Sequence, residues 1–333
     1  MVIKRKLLLF LCVLLGLILL ALVLGAVYLD RLLGAIGREE GPGLSQEEVN
    51  GLLQGGEMTG PVYDPEDISI PPAASESPAG EGIVNILLIG QDRRGSTGRS
   101  LSDAMILCTL NRKTGVLTMT SFLRDSYVRI PGHGSNKLNA AYPLGGMALL
   151  DATLEENFGV TVDGNVEVDF SQFQQIIDLL GGVEIELTEA EVRHLAHEYG
   201  FVLREGSNLL TGEQALGYAR IRKLGTDFAR TDRQRKVITA LIGQFRQASL
   251  WKLHKVARQL LGLVTTDLSN GELLRLAGDL APLLPDLEIR SQHIPAEGTY
   301  HFGDAGKITS CIFLDFEANR ELLRQTLQPE FSD

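Results

Sequence analysis

Residues 7–29, LLLFLCVLLGLILLALVLGAVYL, run without a single charge, and no other stretch restricts the chain so severely. In lipid such a run spans as a helix, the fold that satisfies its own backbone groups. At ~1.5 Å per residue it crosses a hydrocarbon core of about 30 Å. Lys4, Arg5 and Lys6 precede it and an acidic segment follows. That bias places residues 1–6 in the cytoplasm and everything after about Asp30 outside it. A cleaved signal peptide would carry a shorter apolar region, about 7–15 residues, and an A-x-A-like cleavage site, which is not evident here. The run therefore predicts an uncleaved single-pass transmembrane helix, with the lipid bilayer as a partner.

The next segment has a different composition. Residues 39–82 are rich in Gly, Pro, Ser and acidic side chains, lack Lys and Arg, and end in PPAASESPAGEG. They predict a flexible acidic extracytoplasmic linker over 30–82, with one short helix at 45–53. A coil of that length spans on the order of 35 Å, which keeps the folded part close to the membrane.

From Ile83 onward the pattern is that of a folded domain; the whole chain is 44% hydrophobic and 22% charged, a globular balance apart from its start. IVNILLIG is a buried strand, MILCTLN and VLTMTSF predict a hairpin around 112–115, and VEVDF and VEIEL predict further strands. Helices are expected at 144–158, at 171–180 behind a Ser171-to-Gln174 cap, through 263 after Trp251, at 270–284 and at 316–327, with a strand at 287–294. Strands interleaved with helices predict an α/β fold, a central β-sheet with helices on both faces. No linker composition interrupts 83–333, so these residues are expected to form one domain with a C-terminal helical extension. Of the three cysteines, Cys12 lies in the anchor. Cys108 and Cys311 lie in the external part, where a disulfide is allowed, and each is equally compatible with a small buried hydrophobe.

Within this acidic chain, with Asp+Glu 42, Lys+Arg 31 and net charge -11, residues 212–236, GEQALGYARIRKLGTDFARTDRQRK, gather cations. Thr211 and Gln214 predict a capping box. A second helix is expected from about Thr231, with Val237, Ile238, Leu241, Ile242 and Phe245 on one stripe. Arg230 just ahead of its first turn and Arg233 and Arg235 within it sit at the positive end of a macrodipole, which disfavours them by a few tenths to about 1 kcal/mol each. An anion such as phosphate would compensate, and so would neighbouring carboxylates on a solvated face.

More charged groups arrive at strand ends. Asp92, Arg93 and Arg94 follow ILLIG, Asp103 heads the next strand, and Arg124-Asp125 end the hairpin. The following loop supplies Lys137, Asn139 and Tyr142. Two carboxylates at neighbouring strand ends suit a hard cation such as Mg2+, or Mn2+ in its place, completed by substrate phosphates. Arg124, Arg220, Arg222 and Arg230 with such a pair have the chemistry of a metal-pyrophosphate site.

NILLIGQDRR, RSLSDAMILCTLN, SFLRDSYVRIPG, NKLNAAYPLGG, VEVDFSQFQQIIDLLGGVEIEL and LTGEQALGYARIRKLGTDFARTDRQRK, in that order, resemble the LytR-CpsA-Psr family. The likeness covers about residues 83–245, behind the single N-terminal anchor typical of the family. It implies an extracytoplasmic phosphotransferase that moves a glycopolymer, of the teichoic acid or capsular polysaccharide type, from a polyprenyl-pyrophosphate carrier to peptidoglycan through a phosphodiester. By the resemblance, Asp92 and Asp103 coordinate Mg2+, and Arg124, Arg220, Arg222 and Arg230 hold the pyrophosphate, with Arg93 and Lys137 as further candidates beside it. Asp125 and Asp227 are candidates for the base that deprotonates the acceptor hydroxyl, or else they orient an arginine. Ile176, Ile177, Leu179 and Leu180 are candidates to line a prenyl groove or simply to pack a core.

Three departures from the family pattern stand out. Leu101 and Ser102 separate Arg99-Ser100 from Asp103, Leu123 replaces a common Pro, and Asp-x-Gly-Arg reads Asp227-Phe228-Ala229-Arg230. The altered loop around Leu101 motivates a second reading, a lipid-pyrophosphate-binding or regulatory module without transfer. His194 and His197 lack a third metal ligand in sequence, and no histidine stands in a triad context with Ser121. A nucleic-acid partner is disfavoured because the basic cluster lies in an external domain.

Overall fold

The computed structural model describes residues 30–39, 42–53, 60–73, 80–93, 98–247 and 259–327. Its strands, in chain order, are β1 (Gly37–Arg38), β2 (Val62–Tyr63), β3 (Ile83–Gln91), β4 (Ser102–Asn111), β5 (Val116–Phe122), β6 (Tyr127–Ile130), β7 (Gly134–Lys137), β8 (Gly164–Asp169), β9 (Val183–Leu187), β10 (Gly206–Leu210), β11 (Thr265–Thr266), β12 (Glu288–Ile294), β13 (Tyr300–Ala305) and β14 (Ile308–Leu314). The helices are α1 (Gln46–Leu53), α2 (Ala141–Phe158), α3 (Phe170–Leu180), α4 (Glu189–Tyr199), α5 (Gly212–Ala219), α6 (Asp227–Gln247), α7 (Asn270–Leu280) and α8 (Phe316–Leu327).

The period-2 burial of β3 shows why it is central: alternate residues from Ile83 to Gln91 are buried and those between them partly so, the pattern of a strand covered on both faces. The central sheet runs β1-β11-β8-β3-β4-β5-β12. It is mixed, with β3 parallel to β8 and β12 parallel to β5, whereas β4 is antiparallel to both its neighbours. Leu87, Ile89, Met105, Leu107 and Phe122 pack with Leu150, Leu154 and Phe158 of α2 on one face. On the other, Leu110, Leu117 and Leu287 pack with Val84, Cys108 and Ile242 of α6. This is the expected α/β sheet with helices on both faces.

A second apolar cluster, with Ile177, Val183, Leu210, Tyr218 and Val237 fully buried, joins α3, α5 and α6 to a separate β9–β10 pair. VEIEL is thus a strand outside the central sheet. Ile177 is core there, and Ile176, Leu179 and Leu180 are half-buried. The α3 cap expected at Ser171 is instead Asp169, whose side chain and that of Gln172 close a capping box. An aspartate ending β8 reaches the helix first, so the turn is tighter than expected. Both Cys108 and Cys311 are free thiols, which excludes the bridge. Burial pushes their pKa values up to about 12 and about 11.

Parts of the stretch expected as a linker pack on the domain. Val49 of α1 is 0% exposed and Ile70 4%, the Ala73 N–H donates to the Glu156 carbonyl, and β2 adds to β13. Arg99, whose role the sequence left open, pairs with Glu39 at 3.1 Å. Glu39 in turn accepts from the Met147 N–H, just past Gly146, where φ of 70° breaks α2. Only glycine adopts that conformation without strain. The anchor residues 7–29 lie outside the described residues, and among the described residues no helix is long and apolar enough to cross a membrane.

One buried acid gives the domain a pH signature. The Asn165 side-chain amide donates to Asp151 at 2.8 Å and to Asp267 at 2.7 Å. Burial, with repulsion from Asp267, Glu39 and Glu155 and against the Asn165 hydrogen bond, raises Asp151 to about 7. Between the ordinary carboxylate value near 4 and about 7, the folded chain therefore holds a proton that the unfolded chain has released. Stability contributed at this site falls as pH rises through that window and is level above it, a change on the order of 4 kcal/mol. In thermal melts from pH 4 to pH 8, Asp151→Asn should gain stability relative to the parent as pH rises; equal slopes would remove the assignment.

Candidate active site

Four mutually parallel strands, β3, β5, β8 and β12, end at one edge of the sheet, and open α/β sheets bind ligands outside such carboxyl ends. Gln91 leads into Asp92 and Arg93, Phe122 into Leu123, Arg124 and Asp125, Asp169 into Phe170, and Ile294 into Pro295. Asp103 joins them through a β-bulge. Gly90 pairs with Ala104 but Gln91 with Ser102, so Asp103 is the extra residue of β4. A bulge re-aims a side chain out of the ladder, and its freed carbonyl accepts from Arg230 Nη1 at 2.9 Å.

From there the charges connect. Arg124 Nη1 donates to Asp103 Oδ1 at 2.5 Å and Nε to Asp125 Oδ2 at 3.3 Å. Lys137 Nζ meets Asp125 Oδ1 at 2.9 Å with its side chain 8% exposed. Arg222 Nη2 stands 3.8 Å from Asp103 Oδ1. Asp227 accepts from Arg230 Nε and Nη2, both at 2.7 Å. Lys137, Arg124, Arg222 and Arg230 thus face Asp125, Asp103 and Asp227, four cations to three carboxylates. Arg93 and Arg220 flank this network. Arg93 pairs with Glu167 at 3.1 Å, and Arg220 lies 4.7 Å over the Phe170 ring, a cation–π contact at the end of β8.

Electrostatics follow from the crowding. Burial works against the Arg124 cation, yet Asp125, Asp103 and Asp227 outweigh it and raise its pKa above the ordinary arginine value. Arg222 is lowered, by burial first and then by repulsion from Arg124 and Arg230. An anion entering among these arginines relieves that repulsion. Burial alone would raise Asp227, but the hydrogen bonds and charge of Arg230, with Arg124 and Arg222, hold it below the ordinary carboxylate value.

Not every cation of the 212–236 cluster serves the site. The helix expected from Thr231 begins four residues earlier, at Asp227, so its carboxylate sits at the positive end and pairs with Arg230. Arg233 is buried on Glu191 at 2.8 Å and donates to the carbonyls of Ile221 and Leu224. Arg235 is buried on Ser121 and Asp232. The expected Thr211–Gln214 capping box is present. Glu167 escaped notice in the sequence. It is fully buried, takes 2.5 and 3.1 Å bonds from Gln91 and Arg93, and is pushed above the ordinary carboxylate range by burial despite both. An acid at an inward position of VEVDF was the available signal.

A mixed sheet that converges arginines and carboxylates on one edge defines an α/β protein equipped for a multiply charged anion. The LytR_cpsA_psr family model matches residues 56–311, and the chain belongs to that family. Among curated relatives, the polyisoprenyl-teichoic acid–peptidoglycan teichoic acid transferase TagT of Bacillus subtilis is 36% identical over 177 residues, 51% of this chain. The chain spans only 55% of the length of TagT. The regulatory protein MsrR of Staphylococcus aureus is 30% identical over 75% of this chain and 76% of its own length. The solved structure of the LytR-CPS2A-psr family protein YwtF (TagT) with bound octaprenyl pyrophosphate lipid superposes with a TM-score of 0.58 at 27% identity, covering 78% of this chain and 97% of that one.

Proposed function

We propose that this chain is a membrane-anchored extracytoplasmic phosphotransferase that moves a glycopolymer from a polyprenyl-pyrophosphate carrier to peptidoglycan. The observation that carries the reading is the contiguous network from Lys137 through Asp125, Arg124 and Asp103 to Arg222, Arg230 and Asp227. The lipid in the similar solved structure, a polyprenyl pyrophosphate, has the charge such a network fits. Residues 7–29 would hold the domain at the membrane where that lipid resides, with the acidic stretch 30–82 leading to the domain and, through Val49, Ile70 and β2, packing on it.

In the reaction an acceptor sugar hydroxyl attacks the glycan-linked phosphorus. The new P–O bond forms as the bond to the carrier phosphate breaks, and polyprenyl phosphate leaves. Arg124, Arg220, Arg222 and Arg230 bind the pyrophosphate and neutralise charge gathering on the leaving group, the term that dominates phosphoryl transfer. The hydroxyl proton must pass to a base within about 3 Å. Asp227, held below the ordinary range by its arginines, is a weak base and suits orientation of Arg230; Asp125, beside Lys137 and Arg124, is the other candidate.

The donor set fits a divalent cation. Arg124 and Arg222 both approach Oδ1 of Asp103, on one side of the carboxylate, and Asp92 follows the strand end paired beside it. Mg2+, or Mn2+, takes one or two carboxylates and fills its remaining positions with phosphate and water oxygens. Bound by Asp92 and Asp103, it would supply positive charge to the phosphate oxygens.

Full-length protein in detergent with Mg2+, a polyprenyl-pyrophosphate-linked glycan and peptidoglycan fragments should yield a phosphodiester-linked product, lost in Arg220→Ala. Tight lipid binding without transfer or hydrolysis would instead assign a binding or regulatory role, the sense of the name MsrR.

A further inference from the structure

Beside the charged network lies an aromatic surface that none of the chemistry above employs. Phe228, next to Asp227, packs at 4.9 Å on Tyr300, which meets Phe302 edge-on at 5.5 Å. Tyr300 and Phe302 are two apart on β13 and so share a face. Phe302 is 50% exposed, whereas Phe122, Phe313 and Phe316 lie in the main core. The strand beside the strip leads to the segment of the other candidate base: Phe302 pairs with Ile312 of β14, and the Ile312 N–H donates to the Asp125 backbone carbonyl at 2.9 Å.

We propose that Phe228, Tyr300 and Phe302 form the platform on which sugar rings of the acceptor peptidoglycan strand stack as one hydroxyl is presented to the site. This rests on the transfer reaction proposed above. An isoprenoid tail gains by being enclosed, and this strip is open on one side. A pyranose has an apolar C–H face and hydroxyls at its rim, so it covers an exposed ring while its polar edge stays in water, the amphipathic contact aromatic side chains make well. The strip begins at Asp227 and runs beside β14, which leads to the segment of Asp125, so the attacking hydroxyl, which must lie near a base, is reached from its inner end. The donor glycan is already tethered through the pyrophosphate at the arginines and needs no second platform there.

The test uses full-length protein in detergent, purified peptidoglycan sacculi for sedimentation, and muramidase-released fragments with a lipid-linked donor for kinetics. Phe302 is exposed, so Phe302→Ala should fold. Its KM for the fragments should rise about tenfold with kcat within about twofold, retention on sacculi should fall in parallel, and Phe302→Trp should restore both. Parent-like KM and retention in Phe302→Ala and Tyr300→Ala, with the parent transferring normally, would overturn the platform and leave the transferase standing. A raised KM for the donor alone would assign the strip to the donor glycan and also overturn it. If the parent neither transfers nor hydrolyses yet binds sacculi through Phe302, the transferase reading fails and the glycan platform remains.

Discussion

Arg124→Lys, which keeps the charge but loses the planar fork, is expected to lower turnover of a polyprenyl-pyrophosphate substrate by about 10²–10³-fold. Arg124 follows β5 with an 18% exposed side chain, and it donates from two different nitrogens to two carboxylates that come from different elements. One lysine ammonium at the end of a flexible stem cannot span Asp103 and Asp125 while also meeting a phosphate. Lys137 already occupies the other oxygen of Asp125, so a second ammonium there would repel it. Single-turnover release of polyprenyl phosphate at saturating substrate is the measurement. A lysine variant within about threefold of the parent would show that the site needs only charge at this position.

The largest stability effect is expected one helical turn beyond the site. Arg233 and Glu191 are 8% and 6% exposed, and Glu191 also accepts from the Thr188 N–H and hydroxyl in the α4 capping box. Removing one member of a buried pair leaves the other charge uncompensated, so Arg233→Met should cost about 3–5 kcal/mol and lower Tm by about 10 °C. Its guanidinium also ties down the Ile221 and Leu224 carbonyls, the segment that carries Arg222. Substrate affinity should therefore weaken in the surviving folded fraction. Glu191→Gln/Arg233→Met, which removes both charges, should recover much of the stability; an equally unstable double variant would assign the cost to lost packing instead.

Legibility from sequence differed by region for physical reasons. β3, β4 and β5 were readable because each is covered on both faces and their apolar runs are bounded by turns. The α5 capping box was readable because its two partners are three residues apart. β13 and β14 were missed: Gly303, Asp304 and Ser310 break the apolar alternation, and the hairpin is fixed by neighbours distant in the chain, β2 and Asp125. Asp103 and Arg124 were found as strand-end charges, but the sequence could not separate Arg230, which faces the site, from Arg233 and Arg235, which brace it. All three lie within six residues of each other, and their roles are set by Asp227, Glu191 and Ser121, of which only Asp227 is local.

The bulge in β4 fixes the position of Asp103 independently of the ladder it interrupts. Register is restored at the Gln91–Ser102 pair, and Asp103, the extra residue between the two pairs, is held against Arg124 and Arg230. Of the two residues that separate Arg99-Ser100 from Asp103, Ser102 is taken into β4 as the partner of Gln91, so Asp103 still meets Arg124.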